Sequence, residues 1–287
     1  MEIGPIFRAM TRNKLGVFLI ALQIAFTMTV MINAIFIIND RNQLMAKPSG
    51  MDDANLFHIS SIGFGDDFNE ELVSRDDLNM IRQLPGVVNA SEISAIPVSG
   101  SGSSTGVRLT EDETQAAVGT AVYRSDEQIL DTMKLELIAG QNFTATDVLY
   151  RLPGDDRRSE KTIVSRALAE EVFPDLAIND VVGESFFMPG AQSLQIIGIV
   201  DRLQASWPAS SLVERSLILP EQSINNDSLY LVRTEPGERD RVMAEIEELL
   251  IAQNDNRVLR RLESIEETRT EVYRLDSAMS TVLTTQC

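Results

Sequence analysis

Hydrophobic and polar positions divide the chain into one unbroken apolar run and a long alternation of strand-like and helix-like segments. Residues 15–38, LGVFLIALQIAFTMTVMINAIFII, contain no charged residue. At about 1.5 Å per residue such a helix is roughly 36 Å long, against a bilayer core of about 30 Å. A secretory signal has an apolar region of only about 7–15 residues, closely followed by a small-residue cleavage site. This run is too long and lacks that pattern, so it predicts an uncleaved membrane anchor. Gln23 and Thr27, four positions apart, share one helix face and could mark a helix–helix contact within the membrane. After the run, NDRNQLMAK can extend the helix by a turn or two before PSG at 48–50 breaks it.

The pattern then changes period. ANLFHISSI places Leu56, Phe57, Ile59 and Ile62 in a predicted strand. SRDDLNMIRQL predicts a helix with Ser74 as cap, Asp77 at the capping-box position and Leu78, Ile81 and Leu84 as its apolar stripe. PG at 85–86 ends it, and VVNASEISAIPV predicts a second strand. A β-α-β unit of similar length returns near the end: SLYLVR, then a helix with Val242, Ile246, Leu249 and Leu250 on one face, then RVLRRLES. Two such units predict a split, ferredoxin-like sheet with both helices on one face, interrupted by a long insertion. The insertion opens with the Ser/Gly tract SGSGSSTG (99–106), which predicts a flexible linker. It continues with strand candidates AVGTAVY, DVVGESFFM, LQIIGIVDRL and RSLILP, one helix in SRALAEEVFP, and an exposed loop at RLPGDDRRSEK (151–161). The insertion should be mostly β and separable from the rest. The last segment, SIEETRTEVYRLDSAM, predicts a helix: Ser264 with Glu267 makes a capping box, and Ile265, Val272, Leu275, Met279 and Val282 keep helical spacing.

Charge narrows the class of partner. The 287 residues carry 25 Lys and Arg against 43 Asp and Glu, a net charge of −18. The leader holds Arg8, Arg12 and Lys14 against Glu2, while Arg41 and Lys47 follow the span. This small positive bias places the N-terminus in the cytoplasm and everything after the span across the membrane. The domain outside is therefore more acidic still, and it repels phosphate backbones and anionic lipid surfaces. Nucleic acid is excluded as a partner. The single cysteine, Cys287, allows no internal disulfide.

Candidate chemistry is sparse. GSSTG (102–106) fits G-x-S-x-G literally, but a nucleophile elbow needs a following helix and a later histidine as base. The sole histidine, His58, comes earlier, and its strand position opposite Phe57 and Ile59 predicts a solvent-facing side chain. Aspartate pairs at 52–53, 66–67, 76–77 and 155–156 lack the alternating acids, central Gly and late Glu of a calcium loop. There is no His/Cys set for zinc and no G-x-x-x-x-G-K-[ST] phosphate loop. Trp207, the only tryptophan, precedes Pro208 and is expected to pack under a loop. No catalytic, cofactor-binding or metal-binding residue is assigned, and the chain is not read as an enzyme.

Several segments, taken in order, resemble the permease subunits of MacB-type ABC transporters. RAMTRNKLG running into the span looks like their N-terminus, and LPGV (84–87) like their turn after the first core helix. LIAGQNFTATD (137–147) is similar to their L-x-x-G-R-x-F-x-x-x-D segment, with Gln141 in place of a basic residue. TIVSRALAEEVFPDLAINDVVGESF (162–186), IIGIVDRL (196–203) and LYLVRTEPG resemble their further strands and turns. The resemblance implies an α+β fold: one N-terminal transmembrane helix, then a ferredoxin-like porter part interrupted by a mostly β sabre part, ending in a stalk helix. On this chain the layout becomes a cytoplasmic basic leader 1–14, span 15–38, stalk or linker 39–55, porter halves 56–98 and 223–263, sabre-like insertion 99–222 and stalk helix 264–287. The family's permeases carry four membrane helices, so the chain reads as ending before the second. The resemblance also implies a separate ABC-type ATPase, a second permease copy, a periplasmic adaptor or substrate protein, and residence in a bacterial inner membrane, where ATP-driven motion passes to the periplasmic domain. The alternative is a free-standing, membrane-anchored periplasmic binding or scaffold domain.

Overall fold

The computed structural model describes residues 14–65, 68–208, 210, 212 and 214–274. The basic leader before Lys14, Asp66 and Asp67, and the stalk positions Leu275, Met279 and Val282 lie outside them. The described residues form two compact units, one holding residues 14–47 together with 273 and 274, the other Pro48–Val272.

The first unit contains the helix α1 (Lys14–Ala46). Its stretch Lys14–Asn39 has a mean hydropathy of 2.3 and is long and apolar enough to cross a membrane. Apolar side chains surround it on all sides, and Phe18, Ile24, Phe26 and Phe36 are all more than half exposed. A helix apolar all round has no amphipathic stripe of the kind that packs onto a globular core, which makes it a candidate membrane span. Helix α1 runs on past the uncharged residues and stops just before Pro48.

The second unit is built on a four-stranded antiparallel sheet of β1 (Leu56–Gly63), β2 (Val87–Glu92), β12 (Asp227–Thr234) and β13 (Arg257–Ser264), in the order β13-β1-β12-β2. Helix α2 (Glu70–Gln83) connects β1 to β2, and α6 (Arg239–Gln253) connects β12 to β13. Each connection skips one strand, so the two β-α-β units interlock as the sequence pattern predicts. Phe57, Ile59, Ala90, Tyr230 and Val232 from the sheet meet Leu78 and Ile81 of α2 and Val242, Ile246 and Leu250 of α6. That closed apolar layer lies on the helix side of the sheet.

The start of α2 differs from the expectation. Asn69 is the cap, its side chain accepting from Leu72 N at 3.2 Å, so the helix begins four residues before Ser74. Ser74 and Asp77 therefore lie inside the helix. Ser74 donates to the Glu92 carboxylate. Asp77 is fully buried, pairs with Arg257 and accepts from the Tyr230 hydroxyl at 2.9 Å.

Between the halves runs a seven-stranded mixed sheet: β3 (Ser103–Val107), β4 (Val118–Arg124), β5 (Leu137–Gly140), β7 (Lys161–Ser165), β8 (Ser185–Met188), β9 (Gln192–Val200) and β10 (Ser216–Leu219). Its order is β3-β4-β10-β7-β9-β5, with β8 also beside β9. A separate two-stranded sheet pairs β6 (Leu149–Arg151) with β11 (Glu221–Ser223). Short helices α3 (Ile129–Met133), α4 (Arg166–Val172) and α5 (Ile178–Val181) join the strands. Ser165 caps α4, accepting from Leu168 N at 3.3 Å. Part of DVVGESFFM is thus helical rather than extended. The Ser/Gly tract is not a loose linker either: Ser103–Val107 pair along their whole length with β4.

The sheets separate where the pattern places the insertion, but the core does not. One buried cluster contains Leu56, Ile93, Leu231 and Ile265 from the split sheet's frame together with Ile129, Met133, Ile163 and Ile218 from the insertion. The expectation that 99–222 could be removed cleanly is corrected by this shared core. Excision would expose its apolar side chains at about 25 cal/mol per Å².

Helix α7 (Ile265–Val272) follows β13 directly. Its capping box forms as predicted: Glu267 N donates to Ser264 Oγ at 3.1 Å and Ser264 N to Glu267 Oε2 at 2.9 Å. Those two bonds to Ser264, from its N–H first, hold the Glu267 carboxyl below its ordinary value. Arg269 pairs with Asp53 at 2.7 Å, and Ile265 is buried.

Candidate functional site: a polar groove on the open face of the split sheet

Strand alternation sends Phe57 and Ile59 to the helices and His58, Ser60 and Ile62 to the opposite face. Register places Leu229 and Arg260 opposite Ser60, Asp227 opposite Ile62, and Glu263 opposite His58. These residues floor a groove of about 930 Å³. Its walls come from the 94–103 segment, from β11 with Arg151 of β6, and from Thr268, Glu271 and Val272 of α7. A smaller cavity of about 150 Å³, lined by Leu78, Arg82, Asp126 and Tyr150, adjoins it and shares Glu92, Gln222 and Ser223.

His58 is buried at 4% exposure, which corrects its expected solvent position. Alternation names the face a residue points to, and here that face is covered too, by α7. Thr268 Oγ1 donates to Ser264 O at 3.0 Å, so it accepts from His58 Nε2 at 2.9 Å. This fixes the Nε2–H tautomer and leaves Nδ1 as an acceptor with no protein partner among the described residues. Burial, with the Arg261 charge adding to it, lowers the imidazole to about 4, so the ring is neutral at ordinary pH.

The arginines of the groove were not singled out by sequence. Glu221, 1% exposed, is held by Arg124 at 3.3 Å and Arg151 at 3.5 Å and accepts from Ser159 N at 2.8 Å. Arg260 and Arg261 on β13 form no ion pair among the described residues. Arg261 sits at a bulge between β1 and β13 with φ of 50°, a left-handed conformation costly for any residue but glycine. Ser91 Oγ lies 2.8 Å from Ser125 Oγ and donates to Asp126 Oδ1, a residue of the smaller cavity, at 2.6 Å. Burial raises the Asp126 carboxyl, and the Ser91 bond and the Arg82 charge pull it back.

Other candidates fall elsewhere. Ser104, the central serine of GSSTG, is exposed on edge strand β3, which leads to a turn rather than a helix. Trp207 is half-buried in a turn closed by Ser210 N to Trp207 O at 3.0 Å. Of the aspartate pairs, Asp52 meets Lys134, Asp53 meets Arg269, Asp77 meets Arg257 and Asp155 meets Arg157. Among the described residues no group of three or more His, Cys, Asp or Glu is placed to hold a metal ion.

The quoted motifs have physical roles in the fold. Gly86 of LPGV has φ of 89° in the turn after α2. Gly140 of LIAG has φ of 76°, and a Cβ there would lie 2.2 Å from Ile197 O. Asp147 closes the following turn by accepting from Thr144 N at 2.8 Å and ties it to Lys161.

The fold defines a class of domain in which a helix long and apolar enough to cross a membrane leads into a β-rich α+β domain with a split four-stranded sheet. The family described as MacB-like periplasmic core domain matches residues 17–249, and the chain belongs to that family, a domain of ABC-type transporter permeases. Solved structures similar to the chain include the periplasmic region of MacB from Actinobacillus actinomycetemcomitans, at 14% identity and a TM-score of 0.46 over 79% of this chain and 97% of that one. The extracellular domain of the noncanonic ABC-type transporter YknZ from Gram-positive bacteria aligns at 17% identity and a TM-score of 0.42, over 71% and 99%. A domain of a permease protein from Porphyromonas gingivalis aligns at 18% identity and a TM-score of 0.40, over 75% and 94%. No curated protein matches the chain.

Proposed function

We propose that the chain is part of a MacB-like permease, anchored in a bacterial inner membrane by α1 with its N-terminus cytoplasmic and its β-rich domain periplasmic. The observation that carries this reading is the single family match running from the apolar helix into the core domain, residues 17–249. A separate ABC-type ATPase supplies the energy, a second permease copy completes the assembly, and a periplasmic adaptor or substrate protein receives the motion. Within the domain, the split sheet (56–98 and 223–263) is the porter part, 99–222 the sabre-like part, and α7 the start of a stalk. The shared buried cluster joining these parts supports transmission as one body, because a packed core shifts between discrete arrangements rather than deforming smoothly.

The test is to tag the chain at its native locus, purify it in mild detergent and follow the distance between spin labels at Glu111 and Glu247 on opposite parts of two copies. Co-purification of an ABC-type ATPase and a label distance that changes on adding ATP are expected. Absence of any ATPase through two affinity steps, with a distance indifferent to ATP, would refute the reading. Labelling of a cysteine at position 111 by a membrane-impermeant maleimide in intact spheroplasts is expected from the topology.

A further inference from the structure

We propose that the groove on the open face of the split sheet is a binding site for an extended polypeptide segment bearing carboxylates. The proposal concerns the domain itself and holds whether or not an ATPase drives it.

Three observations converge. The first is the groove's composition. Its lining includes no Phe, Tyr or Trp, and its apolar residues, Ile62, Ile93, Ala95, Ile96, Leu229 and Val272, are scattered among serines, amides and charges. Small-molecule pockets are mostly apolar and aromatic, so this is the wrong lining for a drug-like or lipid ligand. Its volume of about 930 Å³ suits several residues of chain.

The second is that strand edges face the groove. Glu221, Gln222 and Ser223 are consecutive in β11, and all three line it, as do Ser101, Gly102 and Ser103 leading into β3. Successive side chains of a strand point to opposite faces, so a consecutive run on one wall presents the backbone edge. Among the described residues, strand β11 is paired only with β6, and β3 only with β4. An open strand edge recognises an extended peptide through main-chain hydrogen bonds, with side chains supplying specificity.

The third is unspent polar capacity. His58, buried at 4% exposure, keeps Nδ1 as an acceptor, and Gln222, at 9%, keeps its Nε2 donor, each with no protein partner among the described residues. Buried polar groups are normally paired. Of the groove's five carboxylates, Glu221 is held by two arginines, Asp227 accepts from Ser60 at 3.3 Å and Glu92 accepts from Ser74, while Glu263 and Glu271 line the β13 and α7 side. Arg260 and Arg261 remain without an ion pair among the described residues, and they are the cations a ligand carboxylate would meet. On a chain of net charge −18, an acidic peptide is repelled by the surface at large, so these arginines also set where it docks.

The experiment uses the full chain in detergent and an array of fluorescein-labelled decapeptides that vary the placement of Glu and Asp on a Thr/Val/Ser background. Saturable binding of a subset in the micromolar range is expected. It should weaken at least tenfold in the double variant Arg260→Glu, Arg261→Glu, and be unchanged in Lys134→Glu, outside the groove. Replacing alternate residues of a bound peptide with proline, which removes main-chain donors, should abolish binding, as should Ser223→Pro, which removes a donor on the edge facing away from β6, with the fold confirmed by circular dichroism. Binding of no peptide above the double variant's background would overturn the proposal. Equal binding of proline-interrupted peptides would overturn it as well, by showing non-specific charge attraction.

Discussion

The two faces of the split sheet use the same strands and differ in nearly every physical property. On the helix side Phe57, Ile59, Tyr230 and Val232 are fully buried against α2 and α6, and the one ionic constellation, Asp77–Arg257–Tyr230, is sealed inside. On the other side His58, Ser60, Asp227 and Arg260 open onto a groove. The first face follows ordinary core logic: apolar area removed from water, with each buried charge paired. The second carries a strained bulge and leaves His58 Nδ1 without a partner among the described residues, as the first leaves Arg257 Nε. Such local departures concentrate where a protein trades stability for recognition. The peptide site proposed above lies on the second face, where the sheet carries exposed polar residues instead of a closed apolar layer.

The largest test of that division removes the sealed charge pair. Asp77→Ala leaves the Arg257 guanidinium buried without its counter-ion, and a loss of about 3–5 kcal/mol in urea unfolding is expected. The double variant Asp77→Leu, Arg257→Met should recover most of it, because the pair's attraction only offsets its desolvation. Ile246→Ala on the same face should cost about 3 kcal/mol by opening a cavity. Arg260→Ala, exposed and unpaired on the groove side, should change stability by less than about 0.5 kcal/mol. A cost for Arg260→Ala comparable to that of Ile246→Ala would erase the distinction between the faces.

The helix face was readable in the sequence and the groove face was not. Apolar residues at period two in ANLFHISSI and at helical spacing in α2 and α6 identify the strands, the helices and the side on which they meet. Periodicity does not reveal whether the opposite side is open, and α7 covering His58 depends on a contact between positions 58 and 268. The role of Asp77 is hidden for a more local reason. Ser–x–x–Asp from Ser74 mimics a capping box, whereas Asn69 caps the helix and Asp77 turns inward to an arginine 180 positions away. The Ser/Gly tract hid an edge strand because serine and glycine have low strand propensity, and its pairing with β4 overrides that. Four arginines from three separate strands form the groove's cationic side, and no local spacing announces them.

Acidification should act through the groove face. His58 lies at about 4 in the folded protein against an ordinary 6.5, so between those values the unfolded chain binds the extra proton. Stability therefore rises with pH through that window, is fully present above about 6.5, and is lost as pH falls towards 4. The full loss is on the order of 3 kcal/mol, from the factor of about 1.4 kcal/mol per pKa unit. His58→Gln, which can keep the bond to Thr268, should flatten this part of the stability–pH curve measured by urea unfolding. A curve of unchanged slope in the variant would assign the acid sensitivity to another group.

The smallest expected effect is also the most discriminating, because it should raise stability and lower binding together. Arg261 holds φ of 50° at the β1–β13 bulge. A non-glycine residue pays roughly 1–2 kcal/mol for that conformation. Glycine avoids the clash but gives back about 0.5–1 kcal/mol in extra freedom of the unfolded chain. Arg261→Gly should thus stabilise the fold by about 0.5 kcal/mol, within reach of careful thermal or urea melts. The same change removes a cation from the groove and from beside His58. Affinity for carboxylate peptides should fall, and the imidazole should move up towards its ordinary value, which narrows the pH window of acid sensitivity. Destabilisation by Arg261→Gly with peptide affinity unchanged would mean that the side chain serves packing, and that the bulge is structure rather than a concession to recognition.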